Sequence, residues 1–264
     1  VSKIVLYSHQ DIAGENIAKF LNLNGQNLTN VKIFGIDERI INLSYLPPEI
    51  SNAVNETDTE VIIVASPHKS ESKKPTLCVH SPGNFNDAKL GGSEKMLSVA
   101  PALYIREAII EFKKQQEQQQ GLSSYAITLE VTHHGPTLNF PIVFVEVGSS
   151  EDQWNDLNAC ESAGKVIKKM CDIEINKEKN TTIAIGIGGN HYASKFTKIL
   201  FNEDIAFGHI MPKYNFNEEM IKEMVSKTIP KPEIALIDWN GLNSEQRNKT
   251  IKKLDEIGLK WKKV

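Results

Sequence analysis

Short apolar runs alternate with segments of helical spacing along nearly the whole chain. Lys3–Tyr7 reads as a strand, and Asp11 then stands as the N-cap of a helix whose apolar positions are Ala13, Ile17, Phe20 and Leu21. Val31–Ile36, Val61–Ala65 and Pro75–His80 have the composition of further strands. A long helix is predicted from about Val99 to Gln120. It is apolar at Leu103, Ile109, Ile110 and Phe112, polar through Lys113–Gln120, and stopped by Gly121. Ala126–Thr132 and Ile142–Val147 read as strands. Glu151–Met170 follows as a helix with Trp154, Leu157, Val166, Ile167 and Met170 on one side. The rhythm continues with strands at Thr182–Ile187, Asp204–Ile210 and Glu233–Asp238, separated by helices at Ser194–Phe201, Asn217–Lys227 and Ser244–Ile257. This alternation predicts an α/β fold: a mostly parallel sheet with helices on both faces. Residues 1–264 are expected to form a single α/β unit with loop excursions near 40–60 and 69–95. Long loops inside compact domains are more often functional than idle.

Composition changes this picture little. Of 264 residues, 40% are hydrophobic and 24% charged, so a core of this size needs no disulfide staples. Cys78, Cys160 and Cys171 are odd in number and form no CxxC, which argues against a Cys-type zinc site and for a reducing, cytoplasmic setting. The apolar run Val1–Tyr7 is too short for a signal or a membrane span, and no membrane or DNA partner is expected. The net charge is −3, yet residues 211–264 carry 11 lysines and arginines against 8 carboxylates. Lys249, Lys252, Lys253, Lys260, Lys262 and Lys263 form either a solvated face and tail or a phosphate-contacting surface. With only 7% aromatic residues, a non-catalytic RNA-binding module is disfavoured.

The chemistry concentrates where strands are expected to end. Glu130-Val131-Thr132-His133-His134-Gly135-Pro136 places two imidazoles there, and histidine is both a titrating group near neutral pH and the commonest metal ligand. If the strand persists, Glu130, Thr132 and His134 share one face and His133 takes the other with Val131. His80 closes another strand before Ser81-Pro82-Gly83-Asn84. Gly186-Ile187-Gly188-Gly189-Asn190-His191-Tyr192 follows a strand and precedes a helix, so its backbone N–H groups can face an anion; it is neither a dinucleotide fingerprint nor a Walker A loop. Glu146 sits in an otherwise apolar strand and needs a cation, metal or histidine as partner. His80, His133, His134, Glu146 and His191 make an N/O set suited to zinc, with His80, His133, Glu146 and His191 taken as the ligands, and hydrolysis of an ester or amide is the chemistry such a set serves. His134, favoured for the pocket alongside Glu130, is expected with it to act on the attacking water.

These stretches, with Ser8-His9-Gln10-Asp11-Ile12-Ala13-Gly14-Glu15-Asn16-Ile17, Ser66-Pro67-His68-Lys69-Ser70 and Val145-Glu146-Val147-Gly148-Ser149, resemble in content and order the archaeal and plant type of D-aminoacyl-tRNA deacylase. The chain departs from that pattern at Pro67, where an arginine is usual, and at Asn190, where a further glycine is usual. The resemblance implies a phosphorylase/hydrolase-like α/β fold related to peptidyl-tRNA hydrolase. It also implies zinc and hydrolysis of the ester between a D-amino acid and the 3′ end of tRNA. Substrate contacts are expected from His68, Lys69, Asn84, Gly188 and Gly189, in a monomer or small homo-oligomer. A zinc peptidase or amidase on the same fold is the competing expectation.

Overall fold

The computed structural model describes residues 2–23, 30–52, 54, 59–174 and 180–264; part of the 40–60 excursion lies outside the described residues. In chain order the elements are β1 (Ser2–Ser8), α1 (Ile12–Leu23), β2 (Val31–Ile36), α2 (Pro48–Ser51), β3 (Thr59–Lys69), β4 (Thr76–His80), β5 (Gly83–Asn84), β6 (Met96–Leu97) and β7 (Ala100–Pro101). There follow α3 (Ala102–Gln118), β8 (Ala126–Leu129), β9 (Ile142–Ser149), α4 (Glu151–Trp154), α5 (Leu157–Asp172), β10 (Thr182–Ile187) and α6 (Ser194–Asn202). The last are β11 (Ile205–Met211), α7 (Ile221–Ser226), β12 (Thr228–Ile229), β13 (Ile234–Ile237), α8 (Ser244–Glu256) and β14 (Lys260–Lys263).

The strands form two main sheets. One has the order β2-β1-β3-β9-β4-β8 and the other β11-β10-β13-β14. The second is parallel throughout. In the first, β2, β1, β3 and β9 are parallel, while β4 runs against β9 and alongside β8. The mostly parallel α/β architecture is thus present, divided between two sheets.

Alternation along the strands sorts two apolar faces. Val5, Ile63, Ala65, Val143 and Val145 meet Ala13 and Ile17 of α1, Ile105, Ile109 and Phe112 of α3, and Val166, Ile167 and Met170 of α5. The same cluster takes in Ala184, Phe207 and Leu236, so apolar packing is continuous from the first sheet to the second. On the opposite face Ile4, Leu6, Ile62, Val64, Ile142 and Phe144 are covered by Ile40, Leu43, Leu46 and Ile50. The described part of the first excursion therefore acts as a lid on the sheet. Each such side chain contributes roughly 1.5–3 kcal/mol by leaving water.

Three boundaries differ from expectation for identifiable reasons. The helix expected over Glu151–Met170 is split in two. Ser150 and Gln153 form a capping box for α4, and Asp156 accepts from the Asn158 N–H to cap α5 anew. The strand expected over Ala126–Thr132 ends at Leu129. Lys260–Lys263, read as a helix face and tail, is instead a strand that adds to the edge of β13, with its lysines exposed and only Trp261 half-buried among its first three residues. All three cysteines are free and buried. No helix among the described residues is long and apolar enough to cross a membrane.

Candidate active site

On the face capped by the excursion, the apolar row of β3 runs Ile62, Val64 and then turns polar at Ser66 and His68. That of β9 runs Ile142, Phe144 and then Glu146. Glu146 lies opposite Ser66 on one side and Cys78 on the other. Polar chemistry therefore begins where the lid stops. Beyond Leu129 the chain stitches the two sheets together. Glu130 N–H donates to Val79 O (3.2 Å), Val131 N–H to His191 O (3.1 Å) and Thr132 N–H to Ile210 O (2.9 Å).

At this seam the extended geometry breaks. His134 has φ +46°, a left-handed backbone that costs a non-glycine residue about 1–3 kcal/mol. A Cβ on Gly135 would lie 2.1 Å from Ile41 O and 2.3 Å from Gly92 N, so only glycine lets this turn pack against the two excursions. The expectation that His133 and His134 take opposite faces is therefore corrected. Their rings lie 4.4 Å apart, and both meet His80, at 4.3 and 4.8 Å. Thr132 likewise leaves Glu130 and contacts His209 Nδ1 at 3.0 Å.

The assembled centre contains His68, His80, Glu130, His133, His134, Glu146 and His191. Glu130 Oε1 is 3.2 Å from both His68 Nδ1 and His191 Nε2, and Glu130 Oε2 is 3.9 Å from His80 Nε2. Glu146 Oε2 is 3.7 Å from His68 Nδ1 and from His80 Nε2, and its Oε1 is 4.0 Å from His134 Nε2. Glu146 thus has the histidine partners its place in an apolar strand called for. Yet His80 Nε2 and both Glu130 oxygens are buried without an aligned hydrogen bond. The close approaches to Glu130 lack hydrogen-bond geometry. Orphaned buried polar atoms in one cluster call for a further partner.

Tautomers follow from the neighbours. His80 Nδ1 faces Ser81 O at 3.3 Å, His133 Nδ1 faces Val131 O at 2.8 Å, and His134 Nδ1 faces Gly135 O. A carbonyl only accepts, so each Nδ1 carries the proton. In the neutral rings of His133 and His134 Nε2 keeps a lone pair. In His80 burial opposes a second proton, but Glu146 and Glu130 outweigh it and raise the ring above its ordinary range, so a metal there would displace that proton. Burial, then repulsion from neighbouring imidazoles, holds His133 well below its ordinary range and pushes His134 down to about 4. Burial opposes protonation of His68 as well, but the close Glu146 carboxylate and the charge of Glu130 outweigh it and lift it to about 10. Glu130 and Glu146 are held low in turn: burial would raise them, and their histidine partners prevail. Neutral His133 and His134 and ionised carboxylates are the forms a metal requires. One ligand atom each of His80, His133 and His134 lies within 4.8 Å of the others; the same holds for Glu130, His133 and His191, and for His68, Cys78, Glu130 and Glu146. The donors present fit zinc.

Not every expected residue joins this centre. His68, expected at the substrate, is 4% exposed and holds the carboxylates on one side and the Tyr192 hydroxyl (2.9 Å) on the other. Lys69 is exposed at the end of β3. Asn84 donates through Nδ2 to Gly91 O (2.9 Å) and Ser93 O (3.3 Å), tying down the second excursion. Gly188 and Gly189 line a separate cavity beside His191. Of the C-terminal lysines, Lys249, Lys252 and Lys253 are ion-paired with Glu218, Glu245, Glu256 and Glu219. Sequence reasoning missed Tyr192 and Tyr214, whose hydroxyls meet His68 and His191 (3.2 Å). Tyr192 stood inside the glycine-loop motif, which was its only signal; Tyr214 had none.

An α/β protein whose strand ends converge on buried imidazoles and carboxylates is built for metal-assisted or general-base chemistry. A sequence model of the D-aminoacyl-tRNA deacylase family matches residues 55–262. The chain is 34% identical to the D-aminoacyl-tRNA deacylase of Methanosarcina barkeri, with 97% of this chain and 87% of that one covered. It is 32% identical to that of Methanococcus maripaludis strain C7, with 99% of each covered. A crystal structure described as a conserved protein of unknown function superposes with a TM-score of 0.88 at 25% identity, over 99% of this chain and 95% of that one. The chain belongs to the D-aminoacyl-tRNA deacylase family.

Proposed function

We propose that the protein hydrolyses the ester joining a D-amino acid to the 3′ end of tRNA, returning free tRNA to translation. Family membership supports the reaction, and the buried, orphaned His/Glu centre is the observation that carries its location. His80, His133 and His134 would hold zinc through their Nε2 atoms; Glu146 and His191 remain within reach of the same group of residues. When bound, zinc would polarise the ester carbonyl and lower the pKa of water to roughly 7. This assignment moves His134 from water activation to ligand, because one of its ring nitrogens lies with those of His80 and His133.

Glu130 is then the proton acceptor. It is buried, ionised and aligned with no donor, so its lone pairs are available to the attacking water. His191, half-buried, sits 3.2 Å from Glu130 and anchors its other nitrogen on Tyr214. Tyr192, braced by His68, supplies a proton to the departing ribose oxygen; its phenol is lower than usual, because hydrogen bonds from Ser70 and Ser149 and the His68 charge outweigh burial. Water adds to the carbonyl carbon as Glu130 takes one of its protons, the C–O bond to the ribose breaks as the Tyr192 proton passes to the ribose oxygen, and the proton held by Glu130 returns through solvent to Tyr192. Three free, buried cysteines suit a reducing cytoplasm.

The test is release of amino acid from D-tyrosyl-tRNA and L-tyrosyl-tRNA by purified protein. D-selective release is expected. Absence of D-selective release contradicts the proposal, and cleavage of small peptides unaffected by tRNA would favour an amidase instead.

A further inference from the structure

The loop that carries His191 has a second side. Gly188, Gly189 and Asn190 line a cavity of about 360 Å³ together with Lys195, Lys213 and Asp238. Tyr192 belongs to both sides: it lines this cavity, and its hydroxyl is 2.9 Å from His68 Nε2 in the centre. The two spaces therefore share a wall one side chain thick.

The chemistry of the cavity is specific. Gly188 has φ +111°, and a Cβ there would lie 2.9 Å from Asp238 O; Gly189 has φ +84°. The loop is thus confined to glycine and turns bare backbone to the cavity. Lys213 N–H donates to Gly189 O at 3.0 Å, which seats this residue across from the loop. The Lys195 ammonium is neutralised by Asp238 Oδ1 at 2.5 Å and also reaches Val264 O. Lys213 is exposed, and among the described residues it has no ion pair. One ammonium is compensated and one is not, so the cavity has room for one negative charge. The side-chain amides of Asn190 and Asn240 add neutral hydrogen-bonding groups suited to oxygen-rich ligands.

We infer that this cavity holds the phosphodiester preceding the 3′-terminal nucleoside of an aminoacylated RNA, which rests on the deacylase reading of the neighbouring centre. A phosphodiester carries one negative charge, and it lies one nucleoside away from the ester. With the ester at the His/Glu centre, the terminal nucleoside lies over Tyr192 and its phosphate meets Lys213 and the glycine loop.

The experiment compares D-tyrosyl-tRNA with D-tyrosyl-adenosine, which has the ester and the nucleoside but no phosphodiester. Lys213→Ala is expected to raise KM for D-tyrosyl-tRNA about 10-fold with kcat retained, the loss of one charge-assisted contact. The slope of log(kcat/KM) against log salt should shrink by about 1. Hydrolysis of D-tyrosyl-adenosine should be the same as in the unmodified protein, and Lys213→Arg should restore most of the tRNA rate. Equal effects on both substrates, or none on either, overturn the inference. If the unmodified protein cleaves neither substrate, the deacylase reading fails on its own. Filter binding of uncharged tRNA then decides the cavity separately: weaker binding by Lys213→Ala supports it, and unchanged binding contradicts it.

Discussion

The two sheets end in opposite chemistry. The six-stranded sheet buries its ionisable groups: Glu130, Glu146, His68 and His80 are each less than 5% exposed. The four-stranded sheet ends in a glycine loop flanked by the exposed Lys213 and by Lys195, half-buried and paired with Asp238. Burial strengthens electrostatics and fixes orientation, which suits bond cleavage; exposed cations attract and position a charged polymer without large desolvation cost. Reaction and grip are thus divided between two sheet ends that share the His191–Tyr192 segment.

That division can be broken first at its buried half. His133→Ala or His80→Ala should lower kcat for D-tyrosyl-tRNA by on the order of 10³-fold or more, with loss of bound zinc detected by elemental analysis. Chelation of the unmodified protein should abolish activity, and added zinc should restore it; activity indifferent to chelation would remove zinc from the account.

A second prediction concerns His209, fully buried between Thr132 Oγ1 and Ser98 O (both 3.0 Å) beneath the His133–His134 turn. Burial pushes it down to about 4 against an ordinary value of 6.5, the hydrogen bonds to backbone only partly offsetting this. The unfolded chain then binds the extra proton between those values. Stability from this residue is complete above pH 6.5 and is lost as pH falls toward 4, by about 3 kcal/mol. Urea unfolding at pH 7 and pH 4.5 should show this fall, and His209→Asn should flatten it.

The smallest effect is expected on α8. Lys252→Ala removes a charge already paired with Glu256, and tRNA affinity should change less than about twofold. A loss as large as that of Lys213→Ala would move the grip from the glycine loop to this helix.

Much of this layout was legible in the chain. The strands at Val31–Ile36 and Thr182–Ile187 have the expected limits, because local apolar patterning decides them. Glu146 announced its need for partners by standing in an apolar strand. What patterning could not reveal was long-range. The seam at Glu130–Gly135 depends on contacts with Ile41, Gly92 and Ile210, distant in sequence, and these carry His133 and His134 into one pocket. His68 was expected at the substrate, since nothing near it in sequence marks Glu130 and Glu146 as its neighbours. The lysines of α8 looked available because their partners include Glu218 and Glu219, from another turn.

The central claim is that Glu130 takes the proton of the attacking water. The direct measurement is single-turnover release of D-tyrosine from D-tyrosyl-tRNA by Glu130→Gln, which keeps the shape of the side chain and removes its charge. The account predicts a rate lower by about 10²–10⁴-fold, with folding and tRNA binding retained. A rate within a few fold of the unmodified protein would contradict it.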